Sequence, residues 1–282
     1  MNFSVKGFMF ETLDFYYENG NKTWGKEMIT RINDVKAAEP LFEGWEETLI
    51  WSCLQQIMGE IYGDDQKSPK SAMAILGDFC FLAGEPNEEL VLYKPDQCRQ
   101  DFIIMIPQNE GFEKMIEQCY KEKAKRVSRY AIKKEPDVFN KEKLQAIVAA
   151  LPKEYSLKMI DEKLFYRCKE TDWCRDFVSQ YRDYERYQKH GLGCVVMKDG
   201  KLVAGASSYS GYLSGIEIEI DTKEEYRRKG LATVCGAKLI LECLKRKWYP
   251  SWDAQNKWSV SLAEKLGYHY SHEYTAYEIM GY

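Results

Sequence analysis

Residues 226–232, Tyr-Arg-Arg-Lys-Gly-Leu-Ala, connect a predicted strand at Ile216 to Ile220 with a long helical pattern. In such a strand–loop–helix unit, the backbone N–H groups of the loop and the positive end of the helix dipole converge on one point. Small residues allow an anion to approach the backbone there, and basic residues add charge: Gly230 and Ala232, then Arg227, Arg228 and Lys229. The stretch therefore predicts a pocket for phosphate groups.

The composition indicates a globular protein with a core of ordinary size. The chain has 282 residues, 45% hydrophobic and 30% charged, which is enough for two domains. Its net charge of -4 argues against a nucleic-acid partner, since that function requires a clustered basic surface. An acidic balance is compatible with a cationic substrate such as an amine.

Three further features bear on the cellular compartment. Apolar runs such as Phe102 to Pro107 are too short to span a membrane. The first residues lack the charged-then-apolar layout of a signal peptide. The nine cysteines are scattered without a Cys-x-x-Cys pair, which favours reduced thiols over disulfides or a zinc site. We therefore expect a cytoplasmic protein that neither binds nor crosses a membrane.

The first half of the chain predicts an α/β domain of unknown role. Apolar periodicity and turn signals give helix, strands, helix and strand. The predicted order is a helix at 43–61, strands at 72–76, 78–83, 90–93 and 102–106, a helix at 110–123 and a strand at 126–133. The polar segment around Pro136 predicts a boundary, with domains at 1–135 and 136–282.

The second half predicts a mixed sheet flanked by helices. Helical patterns come first, followed by three strands of a meander, the basic loop with its helix, and a strand–helix–strand unit. The predicted bounds are helices at 141–151 and near 172–186, strands at 193–197, 202–208 and 216–220, a helix continuing to about 248, a strand at 252–254, a helix from 256 to 266 and a last strand at 268–279.

This half resembles the GNAT superfamily of acyl-CoA-dependent N-acyltransferases. The first match is Ile220-Asp221-Thr222 followed by 226–232, which is similar to the family's pyrophosphate-binding motif. The second is Asn256-x-x-Ser259-x-x-Leu262-x-x-x-Leu266-Gly267-Tyr268, similar to the motif in which an asparagine opens a helix that a Gly-Tyr pair ends. The resemblance covers roughly the last 90 to 100 residues and implies acetyl-CoA as acyl donor, with no metal.

The resemblance also implies where the donor lies. The CoA pyrophosphate would lie on the N–H groups of Arg228 to Ala232, Leu231 among them. The pantetheine arm would lie between the strand at 216–220 and the strand at 252–254, which diverge in the family. Backbone groups of Ile218 and Ile220 would hold the acetyl carbonyl and the pantetheine amide. Asn256 and Ser259 are further candidates for cofactor contacts, although an asparagine at this place is equally explained as a helix N-cap.

Carboxylates on the third strand are the candidate general bases. Glu217, Glu219 and Asp221 alternate with isoleucines and so share one face of the strand. A solvent-facing strand would explain this pattern, but in a GNAT-like sheet the strand is central and its carboxylates should border a cleft. Acyl transfer requires the amine as its free base, so Glu217 or Glu219 is expected to accept its proton, directly or through water.

The general acid is where the sequence departs from the family. Many members have a tyrosine at the position of Ala263, which protonates the departing thiolate. In this sequence the thiolate could instead be protonated by water or by one of four nearby hydroxyls: Ser259, Ser261, Tyr268 and Tyr270. The pair His269 and His272 has no third partner, so no metal site is predicted.

The leading hypothesis is an enzyme that transfers an acetyl group from acetyl-CoA to a primary amine of a small molecule. The alternative is a non-catalytic acyl-CoA-binding or regulatory GNAT-like protein. The first half of the chain is in either case a candidate degenerate GNAT-like half that serves homodimer formation or closure over the substrate. Its segment Pro107 to Gly111 lacks the basic loop, so that half is not expected to bind CoA.

Overall fold

The computed structural model describes residues 28–282. Its helices are α1 Thr48–Leu54, α2 Glu88–Leu92, α3 Glu110–Tyr120, α4 Lys141–Ala149, α5 Glu162–Lys169, α6 Tyr184–His190, α7 Leu231–Lys245 and α8 Lys257–Leu266. Its strands are β1 Thr30–Arg31, β2 Glu60–Gly63, β3 Ser71–Leu76, β4 Phe79–Gly84, β5 Phe102–Pro107, β6 Ala124–Ile132, β7 Ser156–Met159, β8 Gly193–Lys198, β9 Lys201–Tyr212, β10 Gly215–Thr222, β11 Tyr249–Ser251, β12 Asp253–Ala254 and β13 Tyr270–Met280.

The two halves of the chain repeat one topology. Each begins with an antiparallel meander, β2–β3–β4 in the first half and β8–β9–β10 in the second. In each, a helix then leads to a strand parallel to the third one, β5 beside β4 and β11 beside β10. Another helix and a long strand follow, α3 with β6 and α8 with β13. The expected mixed sheet flanked by helices is confirmed, with a first half of the same plan.

The last strand of the chain joins the two halves together. β13 lies between β5 and β6 and is antiparallel to both, while β12 pairs with the other edge of β6. The first sheet thus has eight strands in the order β1-β2-β3-β4-β5-β13-β6-β12, and the second has five in the order β11-β10-β9-β8-β7. The boundary predicted at residue 135 follows β6, yet strands from beyond it complete the first sheet.

β10 and β11 pair only briefly. Their parallel register runs from Gly215 with Tyr249 to Glu217 with Ser251. β10 continues to Thr222, whereas the chain after Ser251 passes to β12 in the other sheet. The expected strand at 252–254 is therefore not the neighbour of β10: that neighbour is β11, and β12 pairs with β6 instead. From Ile218 onwards no strand of the described residues pairs with this edge of β10, which leaves its backbone groups available. The corresponding strands of the first half, β4 and β5, do not diverge at this point. The backbone N–H of Gln108, which follows β5, donates to the carbonyl of Leu82 on β4 at 2.9 Å and so continues their pairing.

Both faces of β10 are covered. Ile216 and Ile218 pack into an apolar core with α7 on one face. The other face, which carries Glu217, lies against α1 of the first half. The expectation that this strand is central is therefore confirmed by its packing.

Three of the predicted elements are wrong. The helix expected at 43–61 is limited to α1, because Gln56 and Gly59 have positive φ values of 55° and 75° and the chain then enters β2. The strand expected at 90–93 is α2, begun by Asn87, whose side chain accepts from the N–H of Leu90. The helix expected near 172–186 is a 3-10 turn at Asp172–Phe177 followed by α6. In each case short-range capping and tertiary packing outweighed apolar periodicity.

Candidate active site

A cavity of about 80 Å³ lies where the two sheets meet, beside the point at which β10 and β11 diverge. Its walls come from both halves of the chain. β10 contributes Glu217 and Glu219. The first half contributes acidic, hydroxyl-bearing, aromatic and basic side chains: Glu47, Thr48, Phe79, Phe81, Arg129 and Lys134. A cavity of this size can hold a few water molecules or the reacting end of a small substrate.

Glu217 is buried, with 7% of its surface exposed. The Thr48 hydroxyl donates a hydrogen bond to its Oε2, while Oε1 has no partner among residues 28–282. Burial raises the pKa of Glu217 to about 7; the positive charge of Lys134 and the Thr48 hydrogen bond act in the opposite direction. A carboxylate with a pKa in this range gains and loses a proton near neutral pH, as a general base must.

Glu219 is two residues further along β10 and is partly exposed. Burial raises its pKa to about 8, and the carboxylates of Asp176 and Asp221 contribute in the same direction. The third carboxylate, Asp221, is directed towards the basic loop: its Oδ1 accepts from the N–H of Thr222 at 2.6 Å and lies 3.7 Å from the guanidinium of Arg227. Both glutamates line the cavity, and Asp221 does not.

An ion pair that no local sequence pattern predicts forms another wall of the cavity. Arg129 on β6 donates from Nε to Asp253 Oδ1 on β12 at 2.7 Å, and the Tyr274 hydroxyl donates to Asp253 Oδ2 at 2.7 Å. Arg129 also lies over the ring of Phe79, 4.8 Å from its centre. These residues come from four different strands, so no local pattern could have grouped them.

A β-bulge next to Glu217 brings one more side chain to the cavity. Glu217 pairs with Ser210 and Ile218 with Ser208, so Tyr209 is the extra residue on β9. Its hydroxyl accepts from the N–H of Asp78 at 2.9 Å, which connects the second half to the first. Bulges of this kind often re-aim side chains beside active sites.

The basic loop has the geometry of an anion-binding site. Gly230 precedes α7 with φ 77°, and no side chain in the described part of the chain caps the helix. Arg228 also has a positive φ of 61°. Arg227 is held by a hydrogen bond from its Nε to the carbonyl of Thr222, and Lys229 lies 4.8 Å from the ring centre of Tyr226. The first N–H groups of α7 are therefore uncapped and surrounded by exposed positive charge.

Asn256 is the N-cap of α8. Its Oδ1 accepts from the N–H of Ser259 at 3.0 Å, and the Ser259 hydroxyl accepts from Trp252 Nε1 at 3.1 Å. Trp252 in turn lines the cavity. The capping role weighed from the sequence is thus observed, and the cofactor contacts of Asn256 and Ser259 stay predictions.

The candidates for the general acid are spread apart. Ala263 is fully buried in the core, and the buried Tyr268 donates its hydroxyl to the carbonyl of Pro250 at 2.6 Å. Tyr270 is 38% exposed on β13, and Ser261 is on the exposed face of α8. None of the four candidate hydroxyls, those of Ser259, Ser261, Tyr268 and Tyr270, lines the cavity that contains the two glutamates.

The two histidines of the pair contact different side chains. His269 lies 2.6 Å from Glu135, and His272 contacts the hydroxyl of Ser271. Across residues 28–282, no group of three potential ligands is placed to hold a metal ion. Over the same residues, no helix is both long and apolar enough to cross a bilayer.

Comparison with known proteins gives consistent similarities over both halves. A family model described as GNAT acetyltransferase matches residues 39–277. An uncharacterized N-acetyltransferase of Bacillus subtilis (strain 168), YdfB, is 28% identical over 241 residues, covering 82% of this chain and 89% of that protein.

Solved structures agree with this similarity. A GCN5-related N-acetyltransferase-like protein from Streptococcus suis 89/1591 is 45% identical, with a TM-score of 0.82 over 87% of this chain and 98% of that one. A putative GNAT-family acetyltransferase from Novosphingobium aromaticivorans has a similar fold at 16% identity, with a TM-score of 0.51 over 83% of this chain and 96% of that one.

Proposed function

The chain belongs to the GNAT acetyltransferase family, and from that premise we propose that it transfers an acetyl group from acetyl-CoA to a primary amine of a small molecule. One observation carries this proposal: Glu217 is the last residue of β10 that pairs with β11, it lines the cavity, and its buried Oε1 has no hydrogen-bond partner among residues 28–282. A carboxyl group with a free oxygen thus lies beside the gap between the two strands.

The donor would bind along β10. Its pyrophosphate would be held by the uncapped N–H groups at the start of α7 and by Arg228 and Lys229. The pantetheine arm would extend through the gap between β10 and β11, where the backbone of Ile218 and Ile220 is free to bind its amide and the thioester carbonyl. This arrangement directs the acetyl group towards the cavity.

The reaction would be a direct attack. The nitrogen lone pair of the amine forms a bond to the thioester carbonyl carbon, the C–S bond breaks, and CoA leaves as the thiolate. The proton lost by the amine passes to Glu217 Oε1, directly or through water. We favour Glu217 over Glu219 because it is more buried and lies at the divergence point.

The cavity supports a positively charged acceptor. Four carboxyl side chains line it against two cations: Glu47, Glu217, Glu219 and Asp253 against Arg129 and Lys134. Arg129 is already paired with Asp253, which leaves three carboxyls beside Lys134. At a pH above the raised pKa values of Glu217 and Glu219, those two carboxylates would attract an ammonium ion, which must lose one proton before its nitrogen can attack. The small volume of the cavity favours a small-molecule acceptor.

A cytoplasmic location and homodimer formation belong to the same proposal. All nine cysteines lie within the described residues and are free thiols, which is the state expected in a reducing compartment. Self-association can be measured by analytical ultracentrifugation of the purified chain.

The alternative, a non-catalytic acyl-CoA-binding protein, is favoured by one observation. The position that carries a tyrosine in many relatives is the buried Ala263, so no hydroxyl is available there. A thiolate with a pKa of roughly 8.5 can, however, leave without an enzymic acid.

The test is release of CoA thiol from acetyl-CoA across a panel of primary amines. We expect acceptor-dependent release by the wild-type protein. Glu217→Gln should lower it by about 10²–10⁴-fold, the usual contribution of a general base, while CoA affinity by calorimetry is retained. No release above background with any amine, together with normal CoA binding, would favour the alternative.

A further inference from the structure

A side chain from the first half of the chain forms a hydrogen bond with the candidate base. Thr48 is the first residue of α1, and its Oγ1 donates to Glu217 Oε2 across 169 positions of sequence. Thr48 is 1% exposed and Glu217 is 7% exposed, so the bond is shielded from water. A hydrogen bond from a hydroxyl to a carboxylate in such a setting is stronger than its counterpart at the surface.

We propose that Thr48 is a positioning residue for Glu217: it holds Oε2, so that the unpartnered Oε1 keeps one orientation as the proton acceptor. The inference rests on the proposed function, and it gives the first half of the chain a part in the reaction. A carboxylate held through one oxygen loses rotational freedom and presents the other in a single direction. The buried and unpartnered state of Oε1 is the second observation that supports this arrangement.

The position of Thr48 is itself well anchored. One turn along α1, the Ser52 hydroxyl donates to the carbonyl of Gly211 at 2.6 Å, and the Cys53 thiol contacts the carbonyl of Ile75 at 3.6 Å. These bonds connect α1 to β9 of the second half and β3 of the first. Because α1 is held from both sides, Thr48 has little freedom to follow Glu217 into other orientations.

The hydrogen bond from Thr48 also influences the pKa of the Glu217 carboxyl. Burial raises the pKa of Glu217, and donation from Thr48 opposes that rise because it stabilises the charged form. Other groups face Glu217 from every element packed against it. Lys134 lowers its pKa, the Asp253 charge raises it while the Asp253 N–H lowers it, and three tyrosines lie within electrostatic range: Tyr212, Tyr249 and Tyr268. Replacing Thr48 leaves all of these groups in place.

The variants are Thr48→Val, which keeps the shape but removes the hydroxyl, and Thr48→Ser, which keeps the hydroxyl. Ser52→Ala is the matched control, since it removes a buried hydroxyl from the same helix that touches no carboxylate. In Thr48→Val we expect the acid limb of the pH profile of kcat/KM to move up by about one pH unit, a tenfold change in the ionisation constant. Thr48→Ser and Ser52→Ala should keep the wild-type midpoint.

A second measurement needs no acceptor. Difference infrared titration of wild-type protein against Glu217→Gln isolates the Glu217 carboxyl, and the same difference in the Thr48→Val background should show its midpoint raised by about one pH unit. If Thr48→Val does not fold, Thr48→Ala takes its place, and Thr48→Ser must restore the wild-type midpoint.

The two proposals fail differently. A wild-type protein that acetylates no amine would remove the proposed function, whereas an unshifted infrared midpoint in the valine or alanine variant would overturn the role of Thr48. An equal shift in Ser52→Ala would also overturn it, because general loosening of α1 would then explain the effect.

Discussion

Arg129 and Asp253 form a part-buried ion pair between β6 and β12, with Arg129 Nε donating to Asp253 Oδ1 at 2.7 Å across 124 positions of sequence. Arg129 is 8% exposed, and Asp253 accepts a further hydrogen bond from Tyr274 on β13. The pair thus connects both halves of the chain directly beside the cavity. Removing Arg129 leaves the Asp253 carboxylate, whose side chain is 24% exposed, without its cation.

The first prediction concerns stability. Arg129→Met should lower the free energy of unfolding, but by less than the about 3–5 kcal/mol that breaking a fully buried ion pair costs, because Asp253 is 24% exposed and keeps its hydrogen bond from Tyr274. Arg175→Ala is the control, since its pair with Asp172 is exposed and should contribute about 0–1 kcal/mol. Urea unfolding at neutral pH measures both. A loss in Arg129→Met no larger than that of the control would contradict the importance of this pair.

The second prediction concerns the pH dependence of activity. The base must be ionised to accept a proton, so kcat/KM should rise with pH through the pKa of the responsible carboxyl, about 7 for Glu217 and about 8 for Glu219. We expect Glu217→Gln to remove this limb and Glu219→Gln to retain it. The reverse pattern would identify Glu219 as the base, and full activity in both variants would dismiss a carboxylate base.

The third prediction concerns the pH dependence of stability. Burial raises the pKa of Glu217 from 4.5 to about 7, so between these values the native state binds more protons than the unfolded chain. Stability is therefore complete below about pH 4.5 and falls as pH rises through 7, by roughly 3 kcal/mol. Glu217→Gln cannot ionise and should become more stable than wild type by a similar amount at pH 8.

Unfolding in urea at pH 4.5 and pH 8 measures this difference. Glu264→Gln, on the exposed face of α8, is the control and should follow the wild-type protein at both values. A constant difference between Glu217→Gln and wild type across this range would mean that Glu217 titrates as an exposed carboxylate does.

The fourth prediction concerns the basic loop. Combining Arg228→Glu with Gly230→Val should abolish CoA binding, since the first reverses a charge and the second disfavours the left-handed backbone at φ 77°. Gly200→Val is the control for backbone strain, because Gly200 has φ 74° in a hairpin turn and its added Cβ would also meet nothing within 4 Å. Calorimetric titration with CoA measures both, and retained binding in the loop variant would refute the donor site.

Much of the second half was predictable because its signals are local. The strand, the basic loop and the long helix follow one another within about 30 residues, and Gly230 opens the helix as expected. Gly267 ends α8 with φ 109°, and Asn256 begins it. In the first half, α2 was mistaken for a strand because Leu90 to Tyr93 is apolar, while the cap by Asn87 decides the conformation.

Local sequence was sufficient to indicate the family, the phosphate-binding loop and a row of carboxylates on β10, because each depends on neighbours in the chain and on the alternation of a strand. It gave no indication that Thr48 bonds to Glu217, that Arg129 pairs with Asp253, or that β13 completes the first sheet. Those contacts join residues more than 100 positions apart, and only the packing of the two halves brings them together. The cavity, and the raised pKa values that burial within it produces, exist only in the folded chain.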